Sequence, residues 1–110
     1  MQSVLTGQPA GEPRATLLLA HGAGAPMDSP FMTQLAAALS ARGIKVVRFE
    51  FPYMAARRED GRKRPPNPMP VLEQCMRELA AEISGPLFLG GKSMGARVAS
   101  QLAAEVGAAG

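Results

Sequence analysis

The tightest constraint in this chain is the run Gly91-Lys92-Ser93-Met94-Gly95 between two elements of different period. Before it stands the apolar stretch Pro86-Leu87-Phe88-Leu89-Gly90, which reads as a strand. After it, Met94, Val98, Leu102 and Val106 recur at fourfold spacing opposite Arg97, Gln101 and Glu105, which reads as a helix. Strand, G-x-S-x-G and helix together make the nucleophile-elbow pattern. The turn is so sharp that residues flanking the serine must be small, and Gly91 and Gly95 meet that need while Gly90 adds room. Ser93 would then stand where a helix amino terminus points its N–H groups at a developing oxyanion. A phosphate-binding reading of Gly-Gly-Lys-Ser fails on spacing. G-x-x-x-x-G-K-[ST] needs glycine where Pro86 stands, and Leu87-Phe88-Leu89 is strand-like where a phosphate loop must be open.

Upstream, Ala15-Thr16-Leu17-Leu18-Leu19-Ala20 is a continuous apolar run, the mark of a strand covered on both faces. It leads into the loop His21-Gly22-Ala23-Gly24-Ala25-Pro26. Ser29 and Pro30 suit the cap and first position of a helix whose apolar residues are Phe31, Leu35 and Leu39, with Met32, Ala36 and Ala38 beside them and Gly43 at the close. Ile44 to Phe51 alternates as a strand, with Val47, Phe49 and Phe51 on one face and Arg48 and Glu50 on the other. Phe51-Pro52-Tyr53 stops that strand. Met54 to Pro70 is expected to be a long loop, since it holds four prolines and the cluster Arg57–Arg64. Val71 to Ile83 is a helix with Leu72, Cys75, Met76, Leu79 and Ile83 on one face, so Cys75 and Met76 are expected in the core. Ser3 to Thr6 is expected to form a short edge strand.

The order β-α-β-loop-α-β-α predicts an α/β fold with a parallel sheet, right-handed crossovers and helices on both faces. Ligands bind such sheets at the strands' carboxyl ends, where both glycine-rich loops emerge. The 110 residues make one domain at most. The chain's net charge of +3 comes from Arg57–Arg64, where five bases meet two acids; elsewhere seven bases and seven acids cancel. That cluster reads as a solvated, mobile loop dispensable for folding. It is not the basic stripe of a nucleic-acid binder. One cysteine excludes an internal disulfide and, without a signal peptide, points to the cytoplasm. No run reaches the length of a membrane span. One histidine and one cysteine do not make a metal site, and no cofactor is expected.

With His21-Gly22-Ala23-Gly24-Ala25, Phe49-Glu50-Phe51-Pro52-Tyr53 and Gly90-Gly91-Lys92-Ser93-Met94-Gly95 each following a strand, the chain resembles an α/β-hydrolase. It is most similar to the dienelactone-hydrolase-like branch that includes the testis-expressed hydrolase-like proteins. The resemblance implies a three-layer fold with the His21 strand between the other two. It implies Ser93 as nucleophile, the Met94 N–H as one oxyanion donor and a second donor from the Gly22 loop, at Ala23. Gly22 would allow the backbone to approach. It further implies an ester or related carbonyl substrate of small size.

Family members run to about twice this length, so the chain is expected to be the amino-terminal portion, residues 1–110, of a single domain. The triad acid and histidine would lie beyond Gly110, and this chain alone is expected to be inactive. His21 is expected to fix its loop with its ring. Asp28 and Glu50 are expected to serve as a helix cap and a strand-edge residue, not as the triad acid. Lys92 is expected to be solvated. An unfinished sheet also predicts self-association. The alternative is a non-catalytic scaffold of the same fold that binds a protein partner, as in relatives found in chromatin complexes.

Overall fold

The computed structural model describes residues 4–110. Its elements are β1 (Val4–Gly7), β2 (Ala15–Ala20), α1 (Pro30–Ser40), β3 (Ile44–Phe49), α2 (Pro52–Asp60), α3 (Met69–Ala81), β4 (Leu87–Gly91) and α4 (Met94–Leu102). The strands form one sheet in the order β1-β3-β2-β4. β2 runs parallel to both neighbours, with Leu18 opposite Val47 on one side and Leu89 on the other. The expected central place of the His21 strand is therefore observed. β1 joins the far edge antiparallel to β3, which makes the sheet mixed. The expected edge strand is present from Val4 onward; Ser3 lies outside the described residues.

Alternation along β2 sorts its side chains between two layers. Leu18 enters the larger core with Phe49, Phe51, Leu72, Met76, Leu89, Val98 and Leu102. Leu19 enters a smaller one with Met32, Ala36 and Val46 beneath α1. Helices α2, α3 and α4 thus share one face of the sheet and α1 holds the other. Ser29 caps α1 as expected, accepting from the Met32 N–H at 3.5 Å, with Pro30 at the first position. The buried stripe is rotated from the expected one. Met32 and Ala36 are buried, Leu35 and Leu39 are partly covered, and Phe31 is 47% exposed with the Lys92 ammonium 4.7 Å above its ring.

The long loop expected over Met54–Pro70 is the main correction. Its first part is helix α2, with Pro52 at the first position and Gly61 closing it at φ 74°. Proline at the start and a left-handed glycine after the end are the ordinary bounds of a helix. Tyr53 and Met54 of α2 are buried in the larger core, and Asn67 Oδ1 accepts the Tyr53 N–H at 2.9 Å. The helix expected at Val71 begins at Met69, and Cys75 and Met76 lie in the core as expected.

At the outer side of β4, the Ala109 N–H donates to Leu87 O and the Leu89 N–H to Gly110 O. Phe88, 39% exposed, lines an open apolar cavity of about 240 Å³ with Leu17, Leu39 and Ile44.

Candidate active site

Ser93 has φ 53° and ψ −114°, and it is the only non-glycine residue with positive φ among the described residues. Such a backbone costs of order 1–3 kcal/mol and persists only where surrounding structure imposes it. Here β4 and α4 impose it from either side. A Cβ on Gly91 would lie 2.4 Å from the Gly95 carbonyl carbon, and one on Gly95 would lie 2.5 Å from His21 O and 2.7 Å from Ala20 O. No side chain fits at either position, so the elbow closes only with glycine there. A serine preceding a helix ordinarily caps it from an extended backbone. Ser93 makes no capping bond, and its side chain is exposed at the carboxyl end of the sheet. Met94 is the first residue of α4, so its N–H has no partner within the helix. Gly95 N–H already donates to Lys92 O at 3.0 Å.

The β2–α1 loop lies against this elbow. A Cβ on Gly22 would stand 3.3 Å from Lys92 O and 3.8 Å from Ser93 Cβ, so the Gly22 backbone borders the serine directly. Ala23 and Gly24 are exposed beside it. Among the candidate residues, Ser93, Met94 and Gly22 are thus brought together, and Ala23 follows in the same loop.

His21 is fully buried beneath the loop. The Phe51 N–H donates to its Nε2 at 3.1 Å, which leaves the ring proton on Nδ1 to donate to Gly22 O at 2.6 Å. Burial lowers the His21 pKa, against weaker opposing effects of the Gly22 carbonyl and Glu50. The ring stays neutral, with its basic nitrogen already occupied, and packs edgewise on Phe51 and Tyr53. It fixes the loop and does not serve as a base for Ser93.

Helix α2 supplies contacts that the sequence reading missed. Tyr53 Oη donates to Ala23 O at 2.8 Å and lies 3.5 Å from Gly22 O; burial raises its pKa, so it remains a donor. Arg57 Nη1 donates to Gly24 O at 3.4 Å. Arg58 donates to both oxygens of Glu50, at 2.8 and 2.6 Å, and to both of Asp28, at 3.3 and 2.9 Å. The Glu50 side chain is wholly buried and also accepts the Met27 N–H.

These contacts correct three expectations. Glu50 is a buried ion-pair partner rather than a strand-edge residue, Asp28 pairs with Arg58 while Ser29 does the capping, and the Arg57–Arg64 segment is anchored at Arg57 and Arg58 while residues 59–63 are exposed as expected. The hydrogen bond from Arg58 holds the Asp28 carboxyl below its usual range. Neither acid is free to orient a base. The signal for α2 was present in Pro52 and Gly61, which bound a helix of the observed length.

Cys75 is buried and its thiol is pushed up to about 12 by desolvation, so it offers no second nucleophile. Among the described residues, no group of three His, Cys, Asp or Glu side chains could hold a metal ion. No helix there is long and apolar enough to cross a membrane.

Comparison with known proteins agrees with this geometry. Residues 13–110 match the family model described as an alpha/beta hydrolase domain. The chain is similar to an alpha-beta serine hydrolase homologue from Coxiella burnetii, at 26% identity and TM-score 0.66, over 93% of this chain and 51% of that one. It is similar in fold to a serine hydrolase without a lid from Xanthomonas campestris, at 24% identity and TM-score 0.75, over 97% and 52% of the two chains. The type II thioesterase of the borrelidin biosynthetic cluster shares 30% identity at TM-score 0.68, over 93% and 40%. No relative was found among curated proteins. The chain spans about half the length of the first two of these structures or less of the third. The strained serine, the glycines that permit it and the match over nearly the whole sequence lead to one conclusion: the chain belongs to the α/β-hydrolase family.

Proposed function

We propose that the chain carries the nucleophile and oxyanion-binding part of a serine hydrolase acting on a small ester, thioester or related carbonyl compound. The observation that carries this reading is Ser93 itself, held at φ 53° with its hydroxyl exposed and uncapped. In the proposed reaction Ser93 Oγ attacks the carbonyl carbon. The negative charge that forms on the carbonyl oxygen is met by the N–H groups of Met94 and Ala23. A base accepts the serine proton and returns it to the leaving group, and water then releases the acyl group. That base is not His21, the chain's single histidine, whose Nε2 accepts from the Phe51 N–H. We therefore place these 110 residues as the amino-terminal portion of one hydrolase domain, with the acid and base supplied from outside them. The proposed affiliation within the family is the dienelactone-hydrolase-like branch. A partner-binding scaffold is the weaker reading, because it gives no reason to keep a strained serine.

The test is covalent labelling of the purified chain with a fluorophosphonate probe, read by peptide mass spectrometry. The expected result is slow labelling at Ser93, none at Ser84 or Ser100, and loss of the label in Ser93→Ala. Turnover of p-nitrophenyl acetate by the chain alone should not exceed that of Ser93→Ala. Labelling that survives Ser93→Ala would remove the nucleophile assignment. Mass in solution, measured on the same sample, tests self-association on the Phe88 side of the sheet.

A further inference from the structure

Three successive carbonyls of the loop beside Ser93 each accept a bond from a side chain. Gly22 O accepts from His21 Nδ1–H at 2.6 Å, Ala23 O from the Tyr53 hydroxyl at 2.8 Å, and Gly24 O from Arg57 at 3.4 Å. The described chain contains no cis peptide. In a planar trans peptide the carbonyl of one residue and the N–H of the next point in opposite directions. Capture of Gly22 O therefore turns the Ala23 N–H outward, and capture of Ala23 O does the same for Gly24. Tyr53 and His21 are buried below the loop, while Ala23, Gly24 and Ser93 are exposed above it. Outward is thus the exposed side of the loop, whose first glycine, Gly22, borders Ser93.

We propose that Tyr53 is a positioning residue for hydrolysis: its hydroxyl sets the Ala23–Gly24 peptide, and with His21 the Gly22–Ala23 peptide, so that their N–H groups face the oxyanion. This rests on the serine-hydrolase reading. The Tyr53 ring is suited to the task because α2 fixes it at its root. Pro52 begins the helix, Asn67 takes the Tyr53 N–H, and the ring packs edgewise on His21 at 5.8 Å between centroids. Arg58, bonded to Glu50 and Asp28, ties the same helix to the far end of the loop. Hydroxyl and guanidinium thus grip the loop at both ends, and the segment between them has little freedom to rotate its peptides.

Tyr53→Phe removes one oxygen and keeps the ring. Two readouts on the full chain decide the matter: saturation kinetics of fluorophosphonate labelling at Ser93, and the 1H–15N amide signals of Ala23 and Gly24. The variant is expected to remain folded and to lower the maximal labelling rate by roughly tenfold to a hundredfold. The probe concentration at half-saturation and the pH profile should not move. The Ala23 and Gly24 amide signals should shift and broaden while those of Gly91 and Gly95 in the elbow stay in place. Placing 4-aminophenylalanine at position 53 restores a donor and should recover both readouts, which a purely structural effect of the ring would not require. Wild-type labelling kinetics with unchanged Ala23 and Gly24 amide signals in Tyr53→Phe would overturn this proposal alone. Absence of Ser93 labelling in the wild-type chain would overturn the hydrolase reading and this role with it.

Discussion

The elbow at Gly90–Gly95 and the loop at His21–Ser29 meet at Ser93, yet they are held by opposite means. The elbow is held by exclusion. Two glycines let β4 and α4 close so tightly that the serine between them is forced to positive φ. The loop is held by attachment. Its carbonyls and its Asp28 carboxylate are bonded to side chains of α2, some thirty residues further along the chain. Removing space should therefore damage the elbow and spare the loop, whereas removing a distant cation should do the reverse.

The sharpest break in that comparison comes from adding one methyl group to each region. Gly95→Ala places a carbon against the fixed backbone of β2, at His21 O and Ala20 O, and should cost more than about 4 kcal/mol or prevent folding. At Gly24 an added Cβ meets nothing within 4 Å, and Gly24→Ala should stay within about 0.5 kcal/mol of the wild type. Urea unfolding of the two variants measures the contrast. Equal effects would show that the loop is as crowded as the elbow.

Next in size is the loop's anchor. Arg58→Ala strands the buried Glu50 carboxylate with only the Met27 N–H, and should cost roughly 3 kcal/mol. Replacing the exposed Arg62 and Lys63 with serine, in the same basic segment, should change stability by less than about 0.5 kcal/mol. A silent Arg58→Ala would mean that the Arg58 pairs do not hold α2 to the loop.

A smaller effect follows from His21. Its folded pKa lies below the ordinary value of 6.5, so below that pH the unfolded chain binds more protons than the folded one. The stability contributed by the neutral ring is complete above pH 6.5 and is lost as pH falls from there through the folded pKa. The slope cannot exceed about 1.4 kcal/mol per pH unit for one proton. Contributions of Asp28 and Glu105, whose folded pKa values are depressed by their arginine partners, are lost at lower pH, below the ordinary carboxylate range. Unfolding free energies at pH 7, 6 and 5 separate the two windows. A flat profile over that range would show that the ring does not stay neutral on folding.

The smallest expected change has the opposite sign. Ser93→Gly relieves the strained backbone and should stabilise the chain by about 1 kcal/mol over Ser93→Ala, which keeps the strain. No difference between the two would mean that the elbow stores no strain.

Much of the site was legible because the elbow is local. Strand, glycine, serine, glycine and helix lie consecutively in sequence, and sterics among neighbours impose the turn. The loop was legible only in part. Its glycines marked an open backbone, and the single histidine suggested a fixing role that the bonds to Gly22 O and the Phe51 N–H bear out. Tyr53 and Arg58 were hidden behind a mistaken loop. Prolines and charges dominated the reading of Met54–Pro70, although Pro52 and Gly61 bounded a helix.

The sequence by itself determined the strand, turn and helix around Ser93, the glycines at Gly91 and Gly95, and the cap at Ser29, since each depends on neighbours along the chain. Tertiary structure alone decided which stripe of α1 is buried. Phe31 and Met32 are adjacent and both apolar, and only the docking of the helix on Leu19 and Val46 covers Met32 and leaves Phe31 beneath Lys92. It also decided the fate of Glu50. Alternation through Ile44–Phe51 assigns this acid to a face, but β3 ends at Phe49 and only the approach of α2 brings Arg58 to it. A charge taken out of water needs a partner, and that partner arrives from an element whose position the local pattern does not encode.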